Sequence, residues 1–301
     1  MLLISNILYD TIYHSIPIIL CVIGGSFAYK AGVLNIALEG MMLMGAFMSV
    51  YIIWATGNVA LGISVAIISS LLLGLIFAVM GVTLKGNVII VGLAVNMFAS
   101  AFAGFILKME KTANFVLSNI DVGKMKIHIP IIKDIPIIGP LFSGHPPIYY
   151  ITLILIAVMW ILMYKTKFGI YTRVIGENED AAKSLGIKTT LYKYIGILIG
   201  SATCSLAGIN LAFERLALYT NDMTAGRGFI AIAAIYCGRG NPLSSTFYAI
   251  IFGLARALAV NFGLFAGPIA GLFDVIPYIT MVVVLALVSV MKYKNVKERG
   301  L

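Results

Sequence analysis

Long apolar runs separated by short polar connections set the pattern of this chain. A helix that crosses the hydrocarbon core of a bilayer needs about 20 mostly apolar residues. Such runs fall near 11–29, 40–56, 59–82, 87–107, 148–164, 192–213, 226–238, 243–262 and 276–291. The pattern predicts an all-α fold, a polytopic membrane helical bundle of about nine transmembrane spans, in one domain covering 1–301. The seventh run is short for a full crossing, which predicts a tilted or broken helix.

Two connections depart from the pattern. The long outer loop 108–147 alternates apolar and polar residues and carries several prolines, which predicts a short hairpin or an extended cap. The loop 165–191 holds the most polar stretch near the middle of the chain, "GENEDAAKSLG", Gly176 to Gly186. Asn178 suits an N-cap, because its side chain can accept a free backbone N–H. Glu179 and Asp180 fall in the first turn and Lys183 toward the last, as the helix dipole favours. Gly186 suits the C′ position. The result is a helix of about two turns, too short to be stable alone in water. Ala181, Ala182 and Leu185 would give it a shallow apolar face. That face fits either a knob offered to a cytoplasmic partner or an interfacial helix between two spans.

A weak internal similarity links distant runs. "AGVLNIA" at Ala31–Ala37 and "AGRGFIA" at Ala225–Ala231 share A-G-x-x-x-I-A, and each opens a run. An inverted-topology repeat would produce this, and so would chance in a chain rich in Ala, Gly and Ile.

Composition agrees with a membrane protein. The chain is 61% hydrophobic and 11% charged, with mean hydropathy +1.03, whereas soluble domains carry about 25% charge. The net charge of +9 is spread over the ends of the apolar runs, densest at Lys165–Lys193 and in the C-terminal tail. That is the positive-inside pattern, and a nucleic-acid patch is not visible. It puts 165–193, the tail and the turns at Lys30, Lys85 and Gly238–Asn241 in the cytoplasm. The N-terminus, 108–147, 214–225 and 263–275 then lie outside. The N-terminus lacks the basic region and cleavage site of a removable signal peptide. Cys21, Cys204 and Cys237 are too far apart for a metal motif, and an odd number argues against a disulfide framework.

Polar residues inside apolar runs are costly in lipid and so become candidates for function. Asn35 and Glu39 precede the second span, Asn96 lies in the fourth, Asn210 in the sixth, and Arg256 and Asn261 in the eighth. Amides both donate and accept, which suits a neutral, hydroxylated ligand. Helix–helix hydrogen bonding is the plainer role for each asparagine. Arg256 reads as half of an ion pair, with Glu39 as one partner. No G-x-x-x-x-G-K-[ST], H-E-x-x-H or G-x-S-x-G motif is present, so neither ATP binding by a P-loop nor a hydrolase constellation is visible.

Three stretches carry a family likeness. "VIGENEDAAKSLGI", "KAGVLNIALEGMMLMGAF" and "MTAGRGFIAIAAIYCGRGNP" together resemble permease subunits of ATP-binding-cassette importers of the branched-chain amino acid, simple sugar and nucleoside group. The versions "NIALEG" and "GRGFIA" are most similar to nucleoside and simple-sugar permeases. The resemblance implies a multi-pass protein of the bacterial cytoplasmic (inner) membrane. It also implies a separate cytoplasmic ABC ATPase that binds the ATP, with no cofactor in this chain. The further partners implied are a second permease, self or related, and an extracytoplasmic substrate-binding lipoprotein. It implies that Gly176, Glu177, Asn178, Asp180, Ala181, Ala182 and Gly186 meet the ATPase. A self-sufficient secondary transporter is the alternative, although Glu39 is its sole plausible ion-carrying group. A membrane enzyme is a more distant one.

Overall fold

The computed structural model describes residues 2–130, 138–263 and 270–298. Among the described residues, eight helices are long and apolar enough to cross a membrane. They are α1 (Leu2–Lys30), α2 (Leu38–Thr56), α3 (Val59–Ala78), α4 (Val88–Met109), α6 (Pro147–Lys165), α9 (Thr189–Ile209), α11 (Pro242–Gly263) and α13 (Ile276–Glu298). One wider turn of π-helix extends α3 over Val79–Thr83, and another extends α9 over Asn210–Glu214. The seventh apolar run becomes α10 (Arg227–Cys237), of 11 residues. At 1.5 Å per residue it is about 16 Å long, roughly half the hydrocarbon thickness. The nine runs thus fold as eight full-length helices and one half-length helix. Short helices complete the chain: α5 (Ile138–Phe142), α7 (Lys167–Glu177), α8 (Glu179–Ser184) and α12 (Ala270–Phe273).

Packing around the bundle is uneven. In α9, 72% of the apolar window is buried, and in α2, 67%, against 6% in α13. The core is therefore α1, α2 and α9, while α13 and much of α3, α4 and α6 face outward. In lipid no hydrophobic force pulls helices together, so small residues must let backbones close up. Gly24 of α1 and Gly200 of α9 do this, with a Cβ on Gly24 falling 3.0 Å from the Gly200 Cα.

The helix contacts reveal an internal repeat. Exchange α1 with α9, α2 with α10, α3 with α11 and α4 with α13, and the pattern of packed pairs maps onto itself. α1 packs on α11 as α9 packs on α3. α2 packs on α4 as α10 packs on α13. The details repeat too. Ser15 of α1 fills the space beside Gly253 of α11, and Ser201 of α9 fills the space beside Gly74 of α3. A Cβ on either glycine would lie 1.9 Å from the serine Oγ. Each A-G motif turns through a left-handed glycine, Gly32 at φ 78° and Gly226 at φ 71°, before its helix begins. α1 and α9 are five runs apart in sequence, so the halves run in opposite directions.

The loops that follow α4 and α9 form a cap by pairing with each other. β1 (Asn114–Val116) lies antiparallel to β2 (Leu218–Thr220), with Phe115 opposite Tyr219. Of the two forms expected for 108–147, a short hairpin or an extended cap, the structure shows the cap, held by a strand pair spanning two loops about 100 residues apart. Apolar packing selects that pairing: Phe115 and Tyr219 are buried and both contact Phe47. Closer to a local hairpin is the single bridge between Ile127 and His145.

Candidate functional site: the polar loop and the helix-end junction

The polar loop between α6 and α9 is a short, well-capped helix pair. Thr166 caps α7, and the Arg173 guanidinium lies 4.9 Å above the Tyr164 ring. The Asn178 side chain accepts the Ala181 N–H at 3.0 Å, as its sequence position predicts. At the other end of α8, Ile187 N–H reaches the Ala182 carbonyl and Gly186 N–H reaches that of Lys183. With Gly186 at φ 76° this is a Schellman turn. The helix has 6 residues, about 1.7 turns, in line with the length expected.

What α8 leans on is its own chain. Glu179 is held by Lys193 of α9, by Thr189 Oγ1 at 3.3 Å and by Lys183 at 3.1 Å. The bond from Lys193, with that from Lys183, brings the Glu179 carboxyl down to about 2. Ala182 is completely buried and is the inward residue of α8. Glu177, Asp180, Ala181 and Leu185 are exposed, Leu185 at 75%. Gly176 sits where α7 meets the end of α1. A Cβ there would lie 2.0 Å from the Lys30 carbonyl oxygen, so only glycine allows the approach.

From Lys30 the chain leads to the centre of the bundle. Asn35 is buried and accepts the Ala37 N–H at 3.0 Å, forming the turn into α2. Asn96 of α4 accepts the Gly40 N–H at 2.7 Å and donates to the Ile36 carbonyl at 3.0 Å. Glu39 then crosses to the other half of the repeat. Its carboxylate accepts the N–H of Gly226 at 2.8 Å and that of Gly228 at 2.5 Å, which cap the start of α10. A helix N-terminus carries free N–H groups and partial positive charge, so a carboxylate fits there. α13 also holds the start of α10, since the Tyr278 hydroxyl donates to the Ala225 carbonyl at 2.9 Å. The ends of α2 and α10 thus meet and are pinned by Glu39, Asn96 and Tyr278.

The other candidates stand elsewhere. Asn210 is fully buried and donates to Glu214 at 2.9 Å. Asn261 donates to Asp10 at 2.7 Å. Arg256 pairs with Asp274 at 2.8 Å, not with Glu39, because Glu39 is spent on α10. Each asparagine in the runs therefore has a protein partner. Sequence reasoning missed Tyr278, Arg215 and Arg227. Arg227 donates to the carbonyls of Met223 and Thr224 at 3.0 and 2.9 Å. Arg215 stacks 3.7 Å from the Tyr13 ring centroid. Both arginines stand at helix ends, Arg215 just past the π turn of α9 and Arg227 at the first position of α10, and packing against the bundle buries Arg215 and partly covers Arg227.

This architecture is that of a multi-pass membrane permease: inverted halves, a half-length helix at their junction and a structured inner loop. The chain belongs to the family described as "Branched-chain amino acid transport system / permease component", whose model matches residues 7–285. It is 31% identical over 292 residues to the nucleoside ABC transporter permease protein NupC of Lactococcus lactis, covering 93% of this chain and 91% of that protein. It is 31% identical to the guanosine ABC transporter permease protein NupQ of Bacillus subtilis, covering 93% and 88%. It is 27% identical to the putative glucose ABC transporter permease protein TsgC13 of Haloferax volcanii, covering 85% and 78%. No solved structure matches. The chain is the permease subunit of an ABC importer, a multi-pass protein of the cytoplasmic membrane.

Proposed function

We propose that this permease carries nucleosides, with simple sugars as the second reading. The observation that carries the choice is the even likeness, 31% over 93% of the chain, to two permeases named for nucleoside and guanosine transport. The permease named for glucose is less similar over less of the chain. Both substrates are neutral and hydroxylated, in keeping with spans whose buried polar groups are mainly hydroxyls with a few amides.

ATP binds a separate cytoplasmic ATPase and not this chain. That subunit docks on the exposed side of α8, at Glu177, Asp180, Ala181 and Leu185, within the shape set by Gly176, Asn178, Ala182 and Gly186. Closure of the ATPase pushes α7 and α8 against Lys30 through Gly176, and α1 passes the movement toward the Glu39 junction. A second permease and an extracytoplasmic binding protein complete the importer. Glu39, Asn96 and Arg256 border the switching region, while Asn35, Asn210 and Asn261 hold helices together.

The test is uptake of radiolabelled guanosine and glucose into proteoliposomes that contain the complex purified on this chain, with ATP inside. ATP-dependent guanosine uptake, with an ATPase recovered in the complex, supports the proposal. Glucose uptake alone favours the second reading. Uptake by this chain without any ATPase overturns both.

A further inference from the structure

We infer that the outer side of this permease carries a binding site for a phosphate-class oxyanion, built around Arg215. Arg215 follows the π turn that ends α9 and is only 7% exposed. Its Nε and Nη1 are buried and have no hydrogen-bond partner among the described residues. Stacking on Tyr13 satisfies the face of the guanidinium but none of its N–H groups. A buried charge with unmet donors is costly, and native structures answer it with a counter-charge or a ligand.

The neighbouring carboxylate does not answer it. Glu214 accepts from Asn210 Nδ2 at 2.9 Å and from the Ile148 N–H at 3.2 and 3.3 Å. Instead Arg215 lines a cavity of about 210 Å3, together with Tyr13, Gly123, Lys126, Pro146 and Glu214. That volume takes a tetrahedral oxyanion with water to spare. The cavity has cations on two different elements, Arg215 at the end of α9 and Lys126 after the short 3-10 turn Val122–Met125. A phosphate group directs oxygens toward both cations at once, and these outnumber the one carboxylate of the lining, Glu214, whose oxygens are already bonded to Asn210 and Ile148. A lipid headgroup and free phosphate share this chemistry.

The position separates the site from the Glu39 junction. It lies between α1, the start of α6 and the outer cap, on the face opposite α8. Occupancy would tie Lys126 of the long outer loop to the end of α9, and so order the cap from which the β1–β2 pair is made.

The experiment is thermal unfolding of the intact complex in neutral detergent at fixed ionic strength. Inorganic phosphate is exchanged for chloride in one arm. In the other, short-chain phosphatidylglycerol is exchanged for short-chain phosphatidylcholine. A rise of about 2 °C or more in midpoint is expected at about tenfold over the dissociation constant. The rise should vanish in Lys126→Met, which is exposed and leaves the fold intact, and in Arg215→Gln if that folds. Response to phosphate assigns a free anion, and response to phosphatidylglycerol alone assigns a lipid headgroup. No rise in either arm, or an equal rise in Lys126→Met, overturns the site.

Discussion

Glu39 and Gly228 stand 189 positions apart, yet the carboxylate of one accepts the backbone N–H of the other at 2.5 Å. The same carboxylate takes the Gly226 N–H, so one side chain on α2 closes the open end of α10. Gly228 is required there: a Cβ would lie 2.5 Å from the Glu39 backbone nitrogen and 2.6 Å from its Cα. Glu39→Ala leaves two part-buried donors without their charged acceptor, at up to about 1.5–3 kcal/mol each. The expected outcome is a lower unfolding midpoint of the purified complex and reduced uptake. Glu39→Gln should be intermediate, since its amide keeps one acceptor and turns an NH2 toward the second donor. Native midpoint and uptake in Glu39→Ala would show that the junction does not depend on this strut.

Gly176→Ala tests the contact between α7 and α1. The new methyl would overlap the Lys30 carbonyl oxygen, and backbone cannot yield as a flexible side chain can. Uptake should fall severalfold while the ATPase still co-purifies, because α8 is displaced but intact. Loss of the ATPase from the complex would instead make Gly176 part of the docking surface itself.

The two alanines of α8 should separate cleanly. Ala181 is exposed and Ala182 is fully buried. Ala181→Arg is expected to release the ATPase in a pull-down with little change in thermal stability. Ala182→Leu overfills a closed site, which costs about 1–3 kcal/mol, and should lower the midpoint. The reverse result, with Ala182→Leu stable and Ala181→Arg still bound to ATPase, would invert the assigned faces of the helix.

Acid should loosen the outer cap before the inner loop. His145 is buried between Tyr9 and Tyr149, and burial lowers its imidazole from 6.5 to about 4. Between those values the unfolded chain binds the proton and the folded chain does not. His145 therefore contributes fully above 6.5, and its contribution falls as pH drops toward 4. Glu179, brought down to about 2 by Lys193, contributes fully above 4.5 and loses that only as pH falls below it. Hydrogen exchange at pH 5, corrected for intrinsic rates, should show 139–150 less protected than at pH 7 and 178–189 unchanged. His145→Gln should abolish the difference. Equal loosening of both segments at pH 5 would contradict the two shifts.

Much of this molecule is written in one dimension. Apolar runs of about 20 residues can be satisfied in lipid only by helices, so the all-α bundle and the run boundaries follow from the sequence. The capping of α8 follows in the same way, because Asn178, Glu179, Lys183 and Gly186 act on backbone groups within a few residues. The shared A-G-x-x-x-I-A points to the inverted repeat that the helix packing shows, with a left-handed glycine in each copy, Gly32 and Gly226. Tertiary structure decides the rest, since it depends on which distant groups meet. Residue spacing could not reveal that Glu39 reaches α10 while Arg256 turns to Asp274. Nor could it show that Ala182 faces inward, because a helix of six residues presents alanines on both sides and only its fit against the rest of the chain chooses between them. Strand β1 found β2 across the bundle because Phe115 and Tyr219 share the aromatic contact at Phe47, and no local pattern encodes that pairing.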